Sequence, residues 1–520
     1  MIEIDGSSLS LEDVVRVARY MEPVTLSDAG RRAVKASREA LESIVAMDRP
    51  VYGINTGFGI FADRRIPRED SATLSRNLIL SHAVGAGPAL PDEVVRAAML
   101  VRANTLAKGY SGVRLEIIEV LLEMLNRGVT PYIPSQGSLG SSGDLCPLSH
   151  MALVLTTDEA DREEDSGQAW YQGELLTGKA VMERAGLPRI RLGAKEGLAL
   201  NNGATFSAAI AAIAVYDSLY LMEVGDYALA MTLEAVMGCR SAFDPRLHIA
   251  RGQPGQIRVA EHVLKIIKGS TLIDAANRVQ DAYSLRCAPQ VMGAARDTID
   301  FVRGVVEREI NAATDNPLIF GEEDVLSGGN FHGEPIGMVM DYLGIAMSEL
   351  AAISERRIFR LTDGKLNAGL PAMLVDHPEA AGLNSGLMMP QYTAASLVLE
   401  NQTLAGPDSV RSLPTSAEQE DHNANSMTAA RHARQILGNT TRVLAIELYS
   451  AARAIDLRLR DLGETRLGSG TAAIFRKLRE KVPYQAGDAW WGPEIDCVHA
   501  MIENREFGAL IEAAPVYVEG

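Results

Sequence analysis

The spacing of hydrophobic positions predicts long α-helices in the later part of the chain. Between residues 337 and 361, apolar side chains recur at intervals of three and four, which is the spacing of one helix face. They are Met340, Leu343, Met347 and Leu350. Residues 426–457 contain one glycine and no proline, which predicts a second long helix there. Helices of 25–30 residues are roughly 40 Å long, so we expect an elongated bundle.

The first 200 residues have a different, mixed pattern. Closely spaced glycines predict a loop at residues 48–61, and an acidic, polar run predicts a solvated loop at residues 158–167. Residues 169–195 are compatible with a small β-hairpin, for which Gly173 and Gly178 are the candidate turn residues.

This change of pattern predicts a mainly α fold with two domains. Residues 1–200 form a smaller mixed domain that carries the functional loops, and residues 201–520 form the long-helix bundle. Hydrophobic residues make up 47% of the chain but aromatic residues only 5%, which favours helix packing over a β-sandwich.

Composition and charge exclude several classes of function. A net charge of −17 disfavours binding to nucleic acids or to anionic membrane surfaces. The four cysteines are scattered, and the opening MIEIDGSSLS lacks the features of a signal peptide, so we expect a cytoplasmic protein with reduced thiols. Residues 198–216 carry no charge, but their polar side chains indicate a buried helix entry and not a membrane span.

Common catalytic motifs are missing from the sequence. It contains no G-x-x-x-x-G-K-[ST], no H-E-x-x-H and no G-x-S-x-G, and its nine histidines lack metal-ligand spacing. We therefore expect no bound nucleotide, no metal and no serine-hydrolase triad.

The informative segment is IPSQGSLGSSGDLCPLSH, residues 133–150. Its glycines and serines suit a flexible linker. A linker would be polar throughout, whereas apolar residues are embedded here, which favours a buried and sharply bent loop. These residues are Ile133, Leu139, Leu145 and Leu148.

A buried Ser141-Ser142-Gly143 sequence can carry out unusual chemistry. Gly143 has an unhindered amide nitrogen and tolerates strained backbone dihedrals. In a compressed loop that nitrogen can attack the carbonyl carbon of Ser141, and the five-membered ring that forms then loses water. Dehydration of Ser142 leaves an exocyclic methylidene, a conjugated electrophile made only of protein.

The segment GSLGSSGDLCPLSH is similar to the GSxGASGDLxPLxH signature of the superfamily of histidine, phenylalanine and tyrosine ammonia-lyases and aminomutases. That superfamily uses a methylidene-imidazolone (MIO) formed from Ala-Ser-Gly. Ser141 stands here in place of the alanine, and since only the Cα substituent differs, we expect cyclisation to survive. The added hydroxyl needs a hydrogen-bond partner if it is buried. Cys146 also departs from the commoner small residue.

Seven further blocks resemble the superfamily, in the same order along the chain. They are YGINTGFG (52–59), NLILSHAVGAG (77–87), NNG (201–203), RVQDAYSLRCAPQVMG (278–293), NAATDNPLIF (311–320), GGNFHGEP (328–335) and QEDH (419–422). A single block could match by chance, but seven ordered blocks indicate membership.

The resemblance implies roles for thirteen residues, without a metal or a nucleotide. The implied catalytic residues are Tyr52, Ser141, Ser142, Gly143, Tyr283 and Glu420. The implied substrate-binding residues are His82, Asn202, Gln280, Arg286, Asn316, Phe331 and Gln419. Taken singly, each is more often structural, and the ordered match is what favours these roles.

The residue types suit elimination of ammonia from an α-amino acid. The amine must become a better leaving group, which the MIO serves, and the β-proton must be removed, for which Tyr52 is the candidate base. Arg286 can clamp the carboxylate bidentately. Whether the substrate's amine or its aromatic ring attacks the electrophile stays open.

Two positions favour histidine as the substrate. His82 indicates a polar ring, although enzymes that act on tyrosine often carry histidine there too. Glu420 lies in QEDH, which resembles the histidine enzymes, whereas the phenylalanine and tyrosine enzymes and the aminomutases typically read NQDV. A carboxylate suits an imidazole that can carry positive charge and would be costly beside a benzene ring. The expected product is trans-urocanate.

Further departures from the family pattern concern substrate choice. Asn201 and Ala204 occur where the family commonly reads INGT, and Asn423 lies in DHNANSM where DHVSM is usual. We expect these residues to lie near the pocket.

Three functions are compared. The first is ammonia elimination from L-histidine, and the second is an MIO-dependent lyase or 2,3-aminomutase for tyrosine or phenylalanine. The third is a catalytically silent scaffold. The NQDV block is absent while Ser142, Tyr52 and Arg286 are present, which favours the first. The resemblance also implies a homotetramer of dihedral symmetry whose active sites each draw on three subunits.

Overall fold

The computed structural model describes residues 1–47, 50–322 and 324–511. Within these ranges the fold is mainly α, as predicted. The α-helices are Leu11–Tyr20, Asp28–Ala46, Ser71–His82, Asp92–Ala107, Leu115–Arg127, Leu145–Leu155, Gly178–Arg184, Glu196–Asn201, Thr205–Ala235, Pro245–Arg251, Pro254–Ile266, Tyr283–Arg286, Ala288–Glu309, Glu334–Thr362, Met388–Leu404, Ser426–Leu462, Ser469–Lys481 and Trp491–Glu503.

The β-strands are short and form small separate sheets. The strands are Ile2–Ile4, Val24–Leu26, Ala86–Ala89, Thr130–Pro131, Pro134–Gln136, Thr156–Thr157, Gln168–Tyr171, Glu174–Thr177, Ile190–Arg191, Leu318–Ile319 and Val325–Leu326. Ile2–Ile4 pairs in parallel with Val24–Leu26, and Gln168–Tyr171 pairs in antiparallel register with Glu174–Thr177.

Contacts divide the chain into two compact units, each built from three segments. The first unit comprises residues 1–216, 302–341 and 407–431, and the second comprises residues 217–301, 342–406 and 432–520. Both units are discontinuous in sequence. The expected division into residues 1–200 and 201–520 therefore describes the order of mixed and helical segments, and as a domain boundary it stays a prediction.

The first unit shows how local sequence signals form its helices. Ser10 precedes the helix Leu11–Tyr20, and its hydroxyl accepts a hydrogen bond from the amide of Asp13 at 3.1 Å. The Asp13 carboxylate accepts in return from the Ser10 amide, which completes a capping box. The apolar face of this helix is buried, so capping and burial act on the same element.

Both predicted long helices are present. The helix Glu334–Thr362 buries the expected apolar stripe completely, and Ser426–Leu462 extends five residues beyond the predicted end. In the second unit, Glu447 lies fully buried and accepts hydrogen bonds from Thr232 and Arg357, each of which lies on a different long helix. A buried carboxylate is tolerated there because its charge and lone pairs are satisfied.

The predicted hairpin is present, but one of its turn residues was assigned wrongly. Gly173 lies in the turn between the two strands, with φ +83. Gly178 instead begins the helix Gly178–Arg184, because the Thr177 hydroxyl accepts a hydrogen bond from the amide of Ala180 and caps that helix. The two loops are largely irregular, each with one turn of 3₁₀ helix, and the first two residues of the loop 48–61 lie outside the described residues.

Two helices are long and apolar enough to cross a membrane by length and composition. They are Thr205–Ala235 and Glu334–Thr362, and 78% and 67% of their most apolar windows are buried inside the protein. Such burial is typical of core helices, so these two helices are weak evidence for a membrane span.

Candidate active site

The Ser141-Ser142-Gly143 loop is sharply bent and tightly packed, as predicted for a buried loop. Gly143 has φ +74 and forms a parallel bridge with Gly203. A Cβ atom added at Gly143 would lie 2.0 Å from the carbonyl carbon of Gly203, so no other residue fits there. The backbone of Gly143 is thereby held in close contact with the backbone of Gly203.

Buried polar groups hold this loop in place. Asp144 is fully buried and accepts hydrogen bonds from the hydroxyl of Ser138 at 2.7 Å and from the amide of Ser207 at 2.8 Å. Burial raises the pKa of the Asp144 carboxyl, while those hydrogen bonds lower it. Asp144 thus joins the loop to the start of the helix Thr205–Ala235.

The backbone around Gly203, on the other side of this bridge, has its own buried anchor. Arg102 is fully buried, and burial lowers its pKa to about 10. Its guanidinium donates to the carbonyl of Ala199 at 3.2 Å and to the hydroxyl of Thr205. These two contacts flank Gly203, so Arg102 fixes the backbone against which Gly143 packs.

Asn202 contacts the central serine directly. Its Nδ2 donates to the carbonyl oxygen of Ser142 at 2.8 Å, and the amide of Gly203 donates to the same oxygen at 3.2 Å. Asn202 is buried, and its Oδ1 has no hydrogen-bond partner among the described residues. An unsatisfied buried acceptor beside the loop is available to a ligand's N–H or O–H group.

Glu420 faces both serines of the loop. The Ser141 hydroxyl donates to its Oε2 at 2.8 Å, and the Ser142 hydroxyl donates to its Oε1 at 2.8 Å. No arginine or lysine side chain in the described part of the chain is paired with this carboxylate. The negative charge of Glu420 is therefore directed at the loop and at the space in front of it.

That space is a cavity of about 1230 Å³ within the first unit. Nine of the thirteen expected site residues line it. They are Tyr52, His82, Ser141, Ser142, Asn202, Asn316, Phe331, Gln419 and Glu420. Segments far apart in sequence thus meet at one cavity, although their roles in catalysis stay predictions.

The environment of the cavity acts on the two titratable rings in it. Burial raises the pKa of the Tyr52 phenol, and the charge of Glu420 raises it further, while a backbone hydrogen bond from Gly59 lowers it. Burial lowers the pKa of His82, which favours the neutral imidazole, and its Nδ1 lies 2.9 Å from the Ser81 hydroxyl. A phenol in this setting needs additional positive charge to act as a base at neutral pH.

Four expected site residues are placed elsewhere. Gly143 lies beneath the cavity, against Gly203. Gln280, Tyr283 and Arg286 belong to the second unit. There the Arg286 guanidinium donates to the Gln280 side-chain oxygen and lies 4.8 Å from the Tyr283 ring centroid, and Tyr283 is 70% exposed.

The three residues expected near the pocket do not line it. Asn201 is buried and donates from Nδ2 to the Ser149 hydroxyl at 3.1 Å, and Ala204 is buried. Asn423 is buried too; its backbone N–H donates to the Ser412 hydroxyl at 2.7 Å, and its side-chain Nδ2 donates to the Leu413 carbonyl. These departures concern the support of the loops, because the Nδ2 atoms of Asn201 and Asn423 donate to groups inside the protein, while their buried Oδ1 atoms have no partner among the described residues.

Several residues of the site were not singled out from the sequence. His332 and His422 line the cavity with their rings stacked at a centroid distance of 5.9 Å, and Asp144 and Arg102 hold the backbone behind it. His332, His422 and Asp144 lie in sequence blocks that resemble the superfamily, so the block match could have pointed to them. Arg102 had no such signal, because it lies in the ordinary helix Asp92–Ala107.

Comparison with known proteins gives the class of the chain. A family model described as aromatic amino acid lyase matches residues 9–480. The crystal structure of tyrosine aminomutase from Streptomyces globisporus superposes with a TM-score of 0.91 at 34% identity, covering 99% of both chains. The chain belongs to the aromatic amino acid lyase family and is a carbon–nitrogen lyase, as predicted. The family is MIO-dependent.

Two further relatives are histidine ammonia-lyases. The enzyme from Caldanaerobacter subterraneus subsp. tengcongensis is 51% identical over 521 residues, covering 100% of this chain and 99% of the relative. The crystal structure of the enzyme from Trypanosoma cruzi has a TM-score of 0.88 at 36% identity, covering 100% of this chain and 99% of that one.

Proposed function

We propose that this chain eliminates ammonia from L-histidine to give trans-urocanate. The observation that carries the proposal is the Glu420 carboxylate, which faces the cavity beside Ser141 and Ser142. An imidazole ring can donate a hydrogen bond to it or pair with it as a cation, whereas a benzene ring can do neither. Relatives named histidine ammonia-lyase match over the full chain and support this choice.

The test is a comparison of L-histidine, L-tyrosine and L-phenylalanine with the purified protein. We expect L-histidine to give the highest kcat/KM, measured by the absorbance of the conjugated acid. A large preference for tyrosine or phenylalanine would contradict the substrate while leaving the reaction class intact. A β-amino acid as the main product would favour the aminomutase alternative.

We further propose that the chain's prosthetic group is an MIO made from Ser141, Ser142 and Gly143. The loop fits this group because Gly143 is compressed against Gly203 and Asp144 is anchored by buried hydrogen bonds. Formation joins the Gly143 nitrogen to the Ser141 carbonyl carbon and releases two waters, one from cyclisation and one from Ser142. When present, the MIO supplies the electrophile that converts the substrate's amine into a leaving group.

The chain's own side chains account for the remaining requirements. Tyr52 takes the β-proton of the substrate, and Asn202 is placed to bind polar atoms near Ser142 through its free Oδ1. His82 and Glu420 face the imidazole ring of the substrate. Asn316 is held by Ser327 and by the Gly328 amide, which keeps its side chain oriented at the cavity wall.

The carboxylate clamp leads to a proposal about assembly. Arg286, Tyr283 and Gln280 are outside the cavity lining of a single chain, and Tyr283 is largely exposed. We propose a homotetramer of dihedral symmetry in which neighbouring chains supply these residues to the site. The helix Met388–Leu404 carries exposed apolar residues, which supports the proposal that a neighbouring chain covers this surface. They are Met389, Tyr392 and Leu399, exposed by 61%, 61% and 64%.

Complementation tests the shared site. Tyr52→Phe and Ser142→Ala chains, each inactive alone, are refolded together, and part of the activity is expected to return because some sites receive both intact groups. Light scattering is expected to give a mass near four chains. A fully active monomer would contradict the assembly.

We also propose a cytoplasmic location, in line with the scattered, unpaired cysteines.

A further inference from the structure

The residue at which this loop departs from the family signature makes a specific hydrogen bond. Ser141 occupies the position of the signature's alanine, and its hydroxyl donates to Glu420 Oε2 at 2.8 Å. The Ser141 residue is only 7% exposed. A buried hydroxyl without an acceptor would be unfavourable, so this contact is part of what allows serine here.

The two serines differ in what maturation does to them. The Ser142 hydroxyl leaves as water when the MIO forms, so its contact with Glu420 Oε1 is lost. The Ser141 side chain is not consumed, because only its backbone carbonyl enters the ring. After maturation Glu420 keeps the Ser141 hydroxyl at Oε2, where the only other contact within the described residues is the Thr415 hydroxyl at a long 3.4 Å.

The turn that carries Glu420 needs such a contact. Thr415 and Glu420 pair across a tight turn, with hydrogen bonds of 2.8 and 3.2 Å between their backbones. The turn contains three consecutive non-glycine residues in the left-handed region, which is strained backbone. They are Ser416, Ala417 and Glu418, with φ of 51, 51 and 66. A flexible glutamate side chain on a strained, exposed turn loses its orientation unless a second group fixes it.

We propose that Ser141 is a positioning residue that holds the Glu420 carboxylate toward the substrate in the mature enzyme. This proposal rests on the proposed function, since it concerns how Glu420 meets the substrate's ring. A hydrogen bond to a charged acceptor is strong enough for this purpose. The hydroxyl itself takes no part in bond making or breaking.

The test is a double-mutant cycle on kcat/KM with L-histidine. Ser141→Ala restores the signature's alanine and is expected to lower kcat/KM roughly tenfold, the size of one hydrogen bond to a charged group. In a Glu420→Ala background the same change is expected to cost less than about twofold, because the partner is gone. Ser141→Thr keeps a hydroxyl and is expected to lose less than Ser141→Ala.

Two readouts besides activity separate positioning from maturation. Intact mass is expected to show the loss of two waters in Ser141→Ala as in the unaltered protein, so the cofactor forms in both. Hydrogen exchange of residues 415–420 is expected to be faster in Ser141→Ala, and less so in Ser141→Thr, because the turn has lost its contact.

Several results would overturn the proposal. They are wild-type kcat/KM in Ser141→Ala, an equal loss with and without Glu420, unchanged exchange of the turn, and failure of Ser141→Ala to lose both waters. If the unaltered protein does not turn over L-histidine, the proposed function fails, and the cycle is run on the amino acid that it does convert. If Ser141→Ala then lowers kcat/KM equally with and without Glu420, only the positioning role of Ser141 is contradicted.

Discussion

Glu420 and Glu447 show two uses of a carboxylate in one protein. Glu447, in the second unit, is fully buried and pairs with Arg357, and it also accepts hydrogen bonds from Thr232 and Ser354 at 2.8 and 2.6 Å. Glu420, in the first unit, is half-buried, accepts from two serine hydroxyls and lines a cavity of about 1230 Å³.

The difference lies in what each charge can still do. Glu447 has a buried counter-charge and a full set of donors, so it joins long helices and has nothing left for a ligand. Glu420 is paired with no arginine or lysine of the described residues, so its charge acts on Tyr52 and His82, which share its cavity. Hydrogen-bonded burial alone therefore does not identify a catalytic residue, whereas an unneutralised charge at a cavity points to function.

The largest expected effect comes from removing the serine that Glu420 faces. Ser142→Ala cannot undergo the dehydration, so we expect kcat to fall by at least about 10⁴-fold, as when a catalytic nucleophile is removed. The fold is expected to survive, because the Ser142 contacts with Asn202 and Gly203 use the backbone carbonyl. Activity assays and thermal unfolding check this. Retained turnover would mean that the Ser142 hydroxyl is not needed.

The next largest effect is on stability and concerns Glu447. Glu447→Ala leaves the fully buried Arg357 without its counter-charge, which we expect to lower the free energy of unfolding by about 3–5 kcal/mol. Denaturant unfolding at fixed protein concentration measures this change. Glu447→Gln keeps the shape and serves as the milder control. A stability equal to wild type in both variants would contradict the structural role.

Glu420→Gln is expected to lower activity and to leave stability nearly unchanged, which is the opposite of the stability loss expected for Glu447→Ala. We expect kcat/KM for L-histidine to fall by about 100-fold, because the charge that faces the imidazole is removed. Unfolding is expected to stay close to that of the unaltered protein, since the amide oxygen still accepts a hydrogen bond. A loss of stability with unchanged turnover would reverse the comparison between the two glutamates.

The smallest expected effect is on the pH profile. Burial and the Glu420 charge both raise the pKa of Tyr52, so the basic phenolate form is scarce at neutral pH, and kcat/KM is expected to rise with pH until it levels off above the ordinary phenol pKa of about 10. In Glu420→Gln one of these causes is removed. The rise is then expected at lower pH, by less than about one unit, since burial is the larger cause. A rise in kcat/KM at higher pH in Glu420→Gln than in the unaltered protein would contradict the effect of the Glu420 charge on Tyr52.

Sequence patterns predicted the helices well because burial on one helix face leaves a periodic signal. The stripe through Met340 and Leu350 was visible for this reason, and it is fully buried. Gly178 was misjudged because a glycine that begins a capped helix looks the same in sequence as one in a turn. Helix caps depend on a neighbouring hydroxyl, Thr177 here, as much as on the glycine.

The site could be predicted only where local chemistry or an ordered block match revealed it. The need of Ser141 for a hydrogen-bond partner followed from its buried position, but its partner Glu420 is 279 residues away in sequence. Arg102 was missed because a fully buried arginine in an apolar helix is recognised only from its contacts, here with Ala199 and Thr205. Such long-range pairings leave no periodic trace in one sequence.

The most direct test of the central claim is the intact mass of active protein, followed by peptide mapping. The account predicts a mass lower than the sequence mass by two waters, with the loss confined to the peptide that contains Ser141, Ser142 and Gly143. Protein that turns over L-histidine with an unmodified mass at this peptide would contradict the account.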